Sequence, residues 1–215
     1  MWSYATFIMF KVNPELTAKV VEIHNDLYHY GSQIIEIQNF YEDPDSVREY
    51  AISCEKYTKE DNEDLLASAI GRRVCEDTLE LGYQIKDTFE QLCKHPGWGI
   101  EFNKEDHDYY WSGMRFTVNV TNNQEIIDDG RDMIAHVDSD FLKWACVIFL
   151  NKPEECEGGT GFYRYDSDND KIYLEHLSIM EYNKAVLYPS SMPHGAIMEK
   201  SMFKTCDRLV QVLFM

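Results

Sequence analysis

The residues with the clearest chemical potential are His136 and Asp138, which stand two positions apart in the chain. Successive side chains of a β-strand alternate between its faces, so a strand here would direct the imidazole and the carboxylate to one side. A second imidazole, His194, follows much later, after enough chain to cross several strands and return. Two histidines and one carboxylate hold a metal on one face and leave other positions open, which is the ligand set of non-heme Fe(II) sites.

The sequence around these residues predicts buried strands and tight turns. An apolar run over 142–150 predicts a strand that ends near Asn151, and the glycines at 158 and 159 predict a turn into the next strand. The last predicted strand, 207–214, contains Arg208 in an otherwise apolar run. If Arg208 faces inward, its planar guanidinium can bind a carboxylate with two hydrogen bonds.

After residue 98 the hydrophobic pattern has a period near two, with short runs separated by Gly, Asn, Asp and Pro. Eight short strands of this kind indicate two facing antiparallel sheets, that is, a jelly-roll or cupin-like barrel (a double-stranded β-helix). The mouth of such a barrel is a natural pocket. Strands are predicted at 114–120, around His136, and at 143–150, 160–165, 171–179, 184–188, 194–198 and 207–214.

The first hundred residues are predicted to be mainly helical and to brace the barrel. Apolar residues at helical spacing, with Asn13 as N-cap, predict a helix from about 13 to 27. A strand is expected at 34–40, then a helix capped by Asp43, and a third helix over 77–93. No linker or repeat divides the chain, so we expect one domain, 1–215, with a support region at 1–100 and the barrel core at 110–215.

The composition narrows the classes of partner. The formal net charge of −18 opposes binding to a phosphate backbone, which makes nucleic acid a poor candidate. No stretch reaches the roughly 18 apolar residues that span a bilayer. The six cysteines show neither a Cys-x-x-Cys motif nor a compact framework, which is typical of reduced thiols. We therefore expect a cytoplasmic protein that binds no membrane.

Five ordered features over roughly residues 110–215 resemble the Fe(II)- and 2-oxoglutarate-dependent dioxygenases, especially their prolyl-hydroxylase-like branch. The Gly-Gly-Thr-Gly-Phe-Tyr-Arg-Tyr segment is also similar to an uncharacterised bacterial and phage group of that superfamily. If a phage encodes the chain, we expect the protein in the cytoplasm of the host cell. The features are His136-x-Asp138, a strand ending in Leu150-Asn151, Gly158-Gly-Thr, the distal His194, and Arg208 on the last strand.

The resemblance implies a fold, cofactors and roles for these residues. His136, Asp138 and His194 would hold Fe²⁺, and Arg208 would bind the far carboxylate of 2-oxoglutarate, with O₂ as the second co-substrate. The reaction implied is hydroxylation of a small molecule or a protein side chain, with release of succinate and CO₂. A carboxylate at position 138 argues against halogenation, because related halogenases have a small residue there.

The chain departs from the branch at two positions that concern 2-oxoglutarate. Where the branch often has a tyrosine before Leu-Asn, this chain has Phe149, which cannot donate a hydrogen bond, and Val210 stands where a hydroxyl is common. A second polar anchor must come from elsewhere, and Asn119 and Arg115 are the candidates. Beside the glycine turn, Tyr163 and Arg164 are candidate substrate contacts.

Two other functions are compatible with the sequence. A cupin-like isomerase or dioxygenase would use the metal without 2-oxoglutarate, but it would have no use for Arg208 and would usually add a third histidine or a glutamate near the first pair. A non-catalytic binding module would have no reason to keep all three ligands. The sequence identifies neither the substrate nor the oligomeric state.

Overall fold

The computed structural model describes residues 11–23, 33–54, 72–75, 87–94, 116–121, 135–138, 144–197, 202, 204 and 208–214. In this part of the chain, helix α1 spans Pro44–Ser53, residues 87–93 are also helical, and the remaining regular structure is β. The strands are β1 Thr17–Glu22, β2 Gln33–Gln38, β3 Arg72–Cys75, β4 Phe116–Thr121, β5 Trp144–Phe149, β6 Gly159–Asp166, β7 Lys171–Ile179, β8 Lys184–Pro189, β9 His194–Ile197 and β10 Arg208–Phe214.

The strands form two antiparallel sheets, which confirms the prediction of a mainly β protein. The larger sheet has the order β1-β2-β8-β5-β10-β4-β3, and the smaller sheet has the order β7-β6-β9. The sheets face each other, because Phe162 of β6 packs edge-on against Tyr188 of β8 with ring centroids 5.2 Å apart. The layer between the sheets is therefore the space into which both sheets direct side chains.

The large sheet is buried on both faces, because its central strands divide their side chains between two apolar clusters. Alternate residues of β5 and β8, such as Cys146 and Leu187, join a cluster that includes Val47 of α1 and Phe89 of the second helical stretch. The intervening residues join a second cluster together with Phe162 of the small sheet. Strands buried on both sides read as continuous apolar runs, and β5 and β8 show this pattern.

The prediction of a helix from 13 to 27 was wrong for residues 13–23, and residues 24–27 lie outside the described residues. The Asn13 carbonyl oxygen accepts from the Leu16 N–H at 3.2 Å, and its side-chain oxygen accepts from the Glu15 N–H at 2.9 Å, so Asn13 stabilises a turn. The chain then enters strand β1, which pairs with β2 along its full length. Thr17, Val20 and Val21 are β-branched and favour a pleated strand, and pairing with a neighbouring strand outweighed the helical spacing.

The other predicted elements largely agree with the structure. Strand β2 and helix α1 lie where they were predicted, and Oδ1 of Asp43 accepts from the Ser46 N–H at 3.1 Å as an N-cap. Residues 87–93 confirm the end of the third helix, whereas its predicted beginning, 77–86, lies outside the described residues. Neither described helical stretch is long and apolar enough to cross a membrane.

Two features of the sheets were not anticipated. Strand β3 joins the edge of the larger sheet beside β4, although no strand was predicted there. Within the described residues 135–138, His136 makes one isolated bridge to His194 of β9 in the smaller sheet, and no regular strand is formed. The short bridge nevertheless brings the two histidines side by side.

A buried carboxylate, Glu36 of β2, joins the two sheets electrostatically. Its Oε1 lies 3.1 Å from Nε2 of His176 on β7 and 3.4 Å from Nζ of Lys184 on β8, and its Oε2 lies 2.7 Å from Nζ of Lys19. Burial raises the pKa of Glu36, but the hydrogen bonds and the neighbouring positive charges outweigh it and hold this pKa at about 2. Glu36 is therefore ionised and paired inside the protein.

Candidate metal centre

Three side chains, His136, Asp138 and His194, converge on one point between the sheets. One potential ligand atom from each lies within 4.8 Å of the others. Nε2 of His194 is 3.3 Å from Oδ2 of Asp138, and Nε2 of His136 is 3.6 Å from its Oδ1. The side chain of His136 is about half exposed, at 51 %, while those of the other two are largely buried. Among the three described side chains, His136 is therefore the one most exposed to solvent.

Main-chain hydrogen bonds hold the three ligands in place. The His136 N–H donates to the His194 carbonyl oxygen at 2.8 Å, and the His194 N–H donates to the His136 carbonyl oxygen at 2.9 Å. The Asp138 N–H donates to the Ser190 carbonyl oxygen at 2.9 Å. The segment that carries the first two ligands is therefore fastened to the loop and strand that carry the third.

The imidazole of His194 is oriented for metal binding. Its Nδ1 lies 2.9 Å from the carbonyl oxygen of Met192, which can only accept, so Nδ1 carries the proton and donates. Nε2, the other ring nitrogen, lies 3.3 Å from Oδ2 of Asp138 and is the atom that would bind a metal. A hydrogen bond from the second ring nitrogen to a backbone carbonyl is the usual way in which proteins orient a metal-binding histidine.

Asp138 supplies the negative charge of the centre. Burial raises its pKa, but the hydrogen bonds and the charges of His136 and His194 outweigh burial and lower the pKa to about 2. The carboxylate is therefore ionised at neutral pH. Two imidazole nitrogens and one carboxylate oxygen suit Fe²⁺ and related divalent metals, so the donor set fits the metal that the sequence indicated.

Tyr188 is a member of the site that the sequence analysis missed. Its ring centroid is 4.5 Å from that of His194, and its hydroxyl is 3.5 Å from Oδ2 of Asp138. Burial and the charge of Asp138 raise the pKa of this phenol well above its usual value, so it stays a neutral donor. The signal available in the sequence was its position on a strand that leads directly into the His194 loop.

Arg208 is a buried cation on the same side of the large sheet as Tyr188. It is 5 % exposed, its Nε has no hydrogen-bond partner among the described residues, and its guanidinium carbon lies 6.0 Å from the ring centroid of Phe149. Burial lowers its pKa to about 10. No carboxylate among the described residues pairs with Arg208. A buried cation without a partner is costly, so the site fits an anionic ligand.

The structure places Asn119 next to this region and leaves Arg115 outside the described residues. Asn119 lies on β4 and pairs in register with Val210, two residues after Arg208. Asn119 and Arg208 thus belong to neighbouring strands at the same end of the large sheet.

The structure separates the two candidate substrate contacts. Alternation along β6 puts Arg164 on the same face as Phe162, which packs against Tyr188, and puts Tyr163 on the opposite face. The Arg164 guanidinium carbon lies 5.9 Å from the ring centroid of Tyr173, and its Nε lies 3.7 Å from Oε2 of Glu175. The described contacts of Arg164 are therefore with Tyr173 and Glu175 of β7.

Comparisons with known proteins add limited information. No protein-family model matches this sequence, and no curated protein matches it. Among solved structures, the chain is similar to a prolyl-4-hydroxylase from Pseudomonas putida, with a TM-score of 0.41 and 16 % identity. The similarity covers 88 % of this chain and 94 % of that one. A match this distant shows no shared activity, so the functional argument depends on the geometry described above.

Proposed function

We propose that this chain is an Fe(II)- and 2-oxoglutarate-dependent oxygenase that hydroxylates a small molecule or a protein side chain and releases succinate and CO₂. The observation that carries the proposal is the combination of two features. His136, Asp138 and His194 form an open metal-binding cluster, and Arg208 is a buried cation without an acidic partner in the described part of the chain. A metal site alone would not require a buried arginine without an acidic partner.

Each protein ligand has a separate role in this proposal. His194 is held by Met192 so that its Nε2 is available, and Asp138 contributes the anionic oxygen. The half-exposed His136 completes the facial set and leaves the opposite positions open. With iron bound, the centre would supply the oxidising chemistry that inserts one oxygen atom of O₂ into the substrate. The finer fold that we propose with it is a double-stranded β-helix within a single domain.

Binding of 2-oxoglutarate is assigned to the buried polar groups near the metal. Arg208 would bind the far carboxylate with its planar guanidinium. Tyr188 is a buried neutral phenol whose hydroxyl lies 3.5 Å from Oδ2 of Asp138, so this hydroxyl is a natural second donor in place of the missing hydroxyl at Phe149. Asn119 and Arg115 are the alternatives for this second contact.

The substrate would enter from the side on which His136 is exposed. Arg164 lies two residues after Phe162 on β6 and contacts Tyr173 and Glu175, and we assign it a role in substrate binding. Tyr163 was the second candidate, and its position on the opposite face of β6 favours a role in packing the small sheet.

The test is an anaerobic titration of the Fe(II)-loaded protein with 2-oxoglutarate. Bidentate binding of 2-oxoglutarate to an iron held by two histidines and one carboxylate should produce a weak visible absorption band at about 500 nm. Iron binding without this band would contradict the proposal and favour a cupin-like metalloenzyme that does not use 2-oxoglutarate.

Two arginine variants make this titration specific. Arg208→Lys keeps the charge but loses the bidentate geometry, so the band should require about 100-fold more 2-oxoglutarate. Arg48→Lys makes the same change in an arginine of α1 that pairs with Glu155, and it should leave the titration unchanged. An equal effect of both variants would remove the assignment of Arg208.

A further inference from the structure

Strand β7 lies at the edge of the small sheet as the described strands form it. Among the described strands it pairs only with β6, so its outer edge has no strand partner. The five consecutive residues 171–175 are all exposed. Three of them are large and apolar, with Ile172 54 %, Tyr173 40 % and Leu174 50 % exposed. Proteins usually shorten, charge or cover such an edge, because its free N–H and C=O groups are ready to pair with another strand.

The sequence of this segment is complementary to itself when two copies pair in the antiparallel direction. If Tyr173 lies opposite Tyr173 of a second copy, Lys171 lies opposite Glu175, and Ile172 lies opposite Leu174. Every pair is then of a kind that stabilises a sheet: an aromatic pair at the centre, aliphatic pairs beside it, and opposite charges at both ends. The pairing ends at Glu175, which is the residue left unmatched where the register between β6 and β7 shifts.

Neighbouring registers lack this complementarity. A pairing centred on Leu174 puts Lys171 opposite Leu177, Ile172 opposite His176, and Tyr173 opposite Glu175. The register centred on Tyr173 is therefore the one in which both charges find partners. It also uses the same five residues, 171–175, that the structure leaves exposed without a break.

We propose that the chain forms a two-fold symmetric dimer in which β7 pairs with β7 of a second copy, centred on Tyr173. The contact is isologous, as expected for a homodimer, and it uses the strand-addition mode of recognition. It joins the two three-stranded sheets into one continuous six-stranded sheet. Two residues of this contact, Tyr173 and Glu175, also touch Arg164, to which the proposed function gives a role in substrate binding, so the dimer is tested by its oligomeric state and not by activity.

The first test is sedimentation velocity of the full chain over a concentration series, with charge variants at both ends of the pairing. Lys171→Glu places two carboxylates opposite each other at both ends, and it should weaken dimerisation at least about tenfold. The double variant Lys171→Glu/Glu175→Lys exchanges the charges and should restore the dimer. A monomer at every concentration, or a dimer indifferent to Lys171→Glu, would overturn the proposal.

The second test does not depend on the charged residues, since Glu175 also contacts Arg164 in its own chain. Directly opposed residues of an antiparallel pair have Cα atoms about 4.5–5.5 Å apart, which suits a disulfide. Tyr173→Cys should therefore cross-link the dimer on mild oxidation, as seen on a non-reducing gel. Ile179→Cys is the control, because it is 58 % exposed but lies outside the paired segment. Equal cross-linking of the two variants and the unaltered chain would exclude this register.

Discussion

The side-chain oxygen Oδ1 of Asn151 accepts a hydrogen bond from the backbone N–H of Leu209 at 2.5 Å. The Leu209 carbonyl oxygen in turn accepts from the Leu150 N–H at 3.0 Å. Asn151 is therefore the residue that fastens the first residues of β10, and with them Arg208, to the end of β5. This gives a physical role to the Leu-Asn pair that the sequence analysis used only as a family feature.

Replacing Asn151 should affect both stability and the anion site. Asn151→Ala leaves the buried Leu209 N–H without this partner, which costs about 1 to 3 kcal/mol of unfolding free energy. Because the start of β10 loosens, affinity for 2-oxoglutarate should also fall. Urea unfolding and calorimetric titration measure the two effects. The control is Asn169→Ala, in the exposed turn after β6; a similar loss of affinity there would contradict the role of Asn151.

Removing any one metal ligand should abolish useful metal binding. His136→Ala and Asp138→Ala each leave two of three ligands, and affinity for Fe(II), or for Mn(II) as a stable substitute, should fall more than about 100-fold. The matched control is His176→Ala, which removes a histidine between the same two sheets that pairs with Glu36. Calorimetric titration of the metal distinguishes them. Unchanged affinity in either ligand variant would remove that residue from the centre.

The hydroxyl of Tyr188 should contribute to binding of 2-oxoglutarate and not to binding of the metal. Tyr188→Phe keeps the ring that packs against His194 and Phe162 and removes one donor. The loss of one hydrogen bond should raise the KM for 2-oxoglutarate up to about tenfold while the metal affinity stays the same. A fall in metal affinity with an unchanged KM would instead make Tyr188 a support for Asp138, 3.5 Å away.

Glu36 should contribute stability that is lost in acid. Its pKa in the folded protein is about 2, below the ordinary value of 4.5, so it stabilises the fold fully above pH 4.5 and loses that contribution as the pH falls toward 2. The contribution is about 3 kcal/mol. Glu36→Gln should lower the unfolding free energy by this order at pH 7, and the difference from the unaltered chain should vanish near pH 2.

The acid test has an internal control in Glu181, a half-exposed carboxylate 3.2 Å from the same Lys184. Glu181→Gln should change stability by less than about 1 kcal/mol, because exposed ion pairs contribute little. Urea unfolding of both variants between pH 2 and 7 provides the comparison. Equal effects of the two substitutions would show that the buried position of Glu36 brings no special stabilisation.

Much of the β architecture could be predicted from local patterns. The apolar runs of β5 and β8 and the Asp43 cap of α1 are signals within a few residues, and the structure has these elements where they were predicted. The segment after Asn13 was wrongly predicted as a helix, because it combines apolar residues at helical spacing with β-branched residues that favour a strand. Its state was decided by pairing with β2, which lies outside the local sequence.

By itself the sequence determined the residue types of the candidate centre, because two imidazoles, a carboxylate and an arginine near the end of the sequence can be identified without knowing the fold. Only the tertiary structure decided their geometry. The bridge between His136 and His194, the approach of Tyr188 to Asp138, and the isolation of Arg208 from any described acidic side chain arise from strands distant in sequence. The physical reason is that contacts across two facing sheets depend on strand order and register, which no local pattern contains.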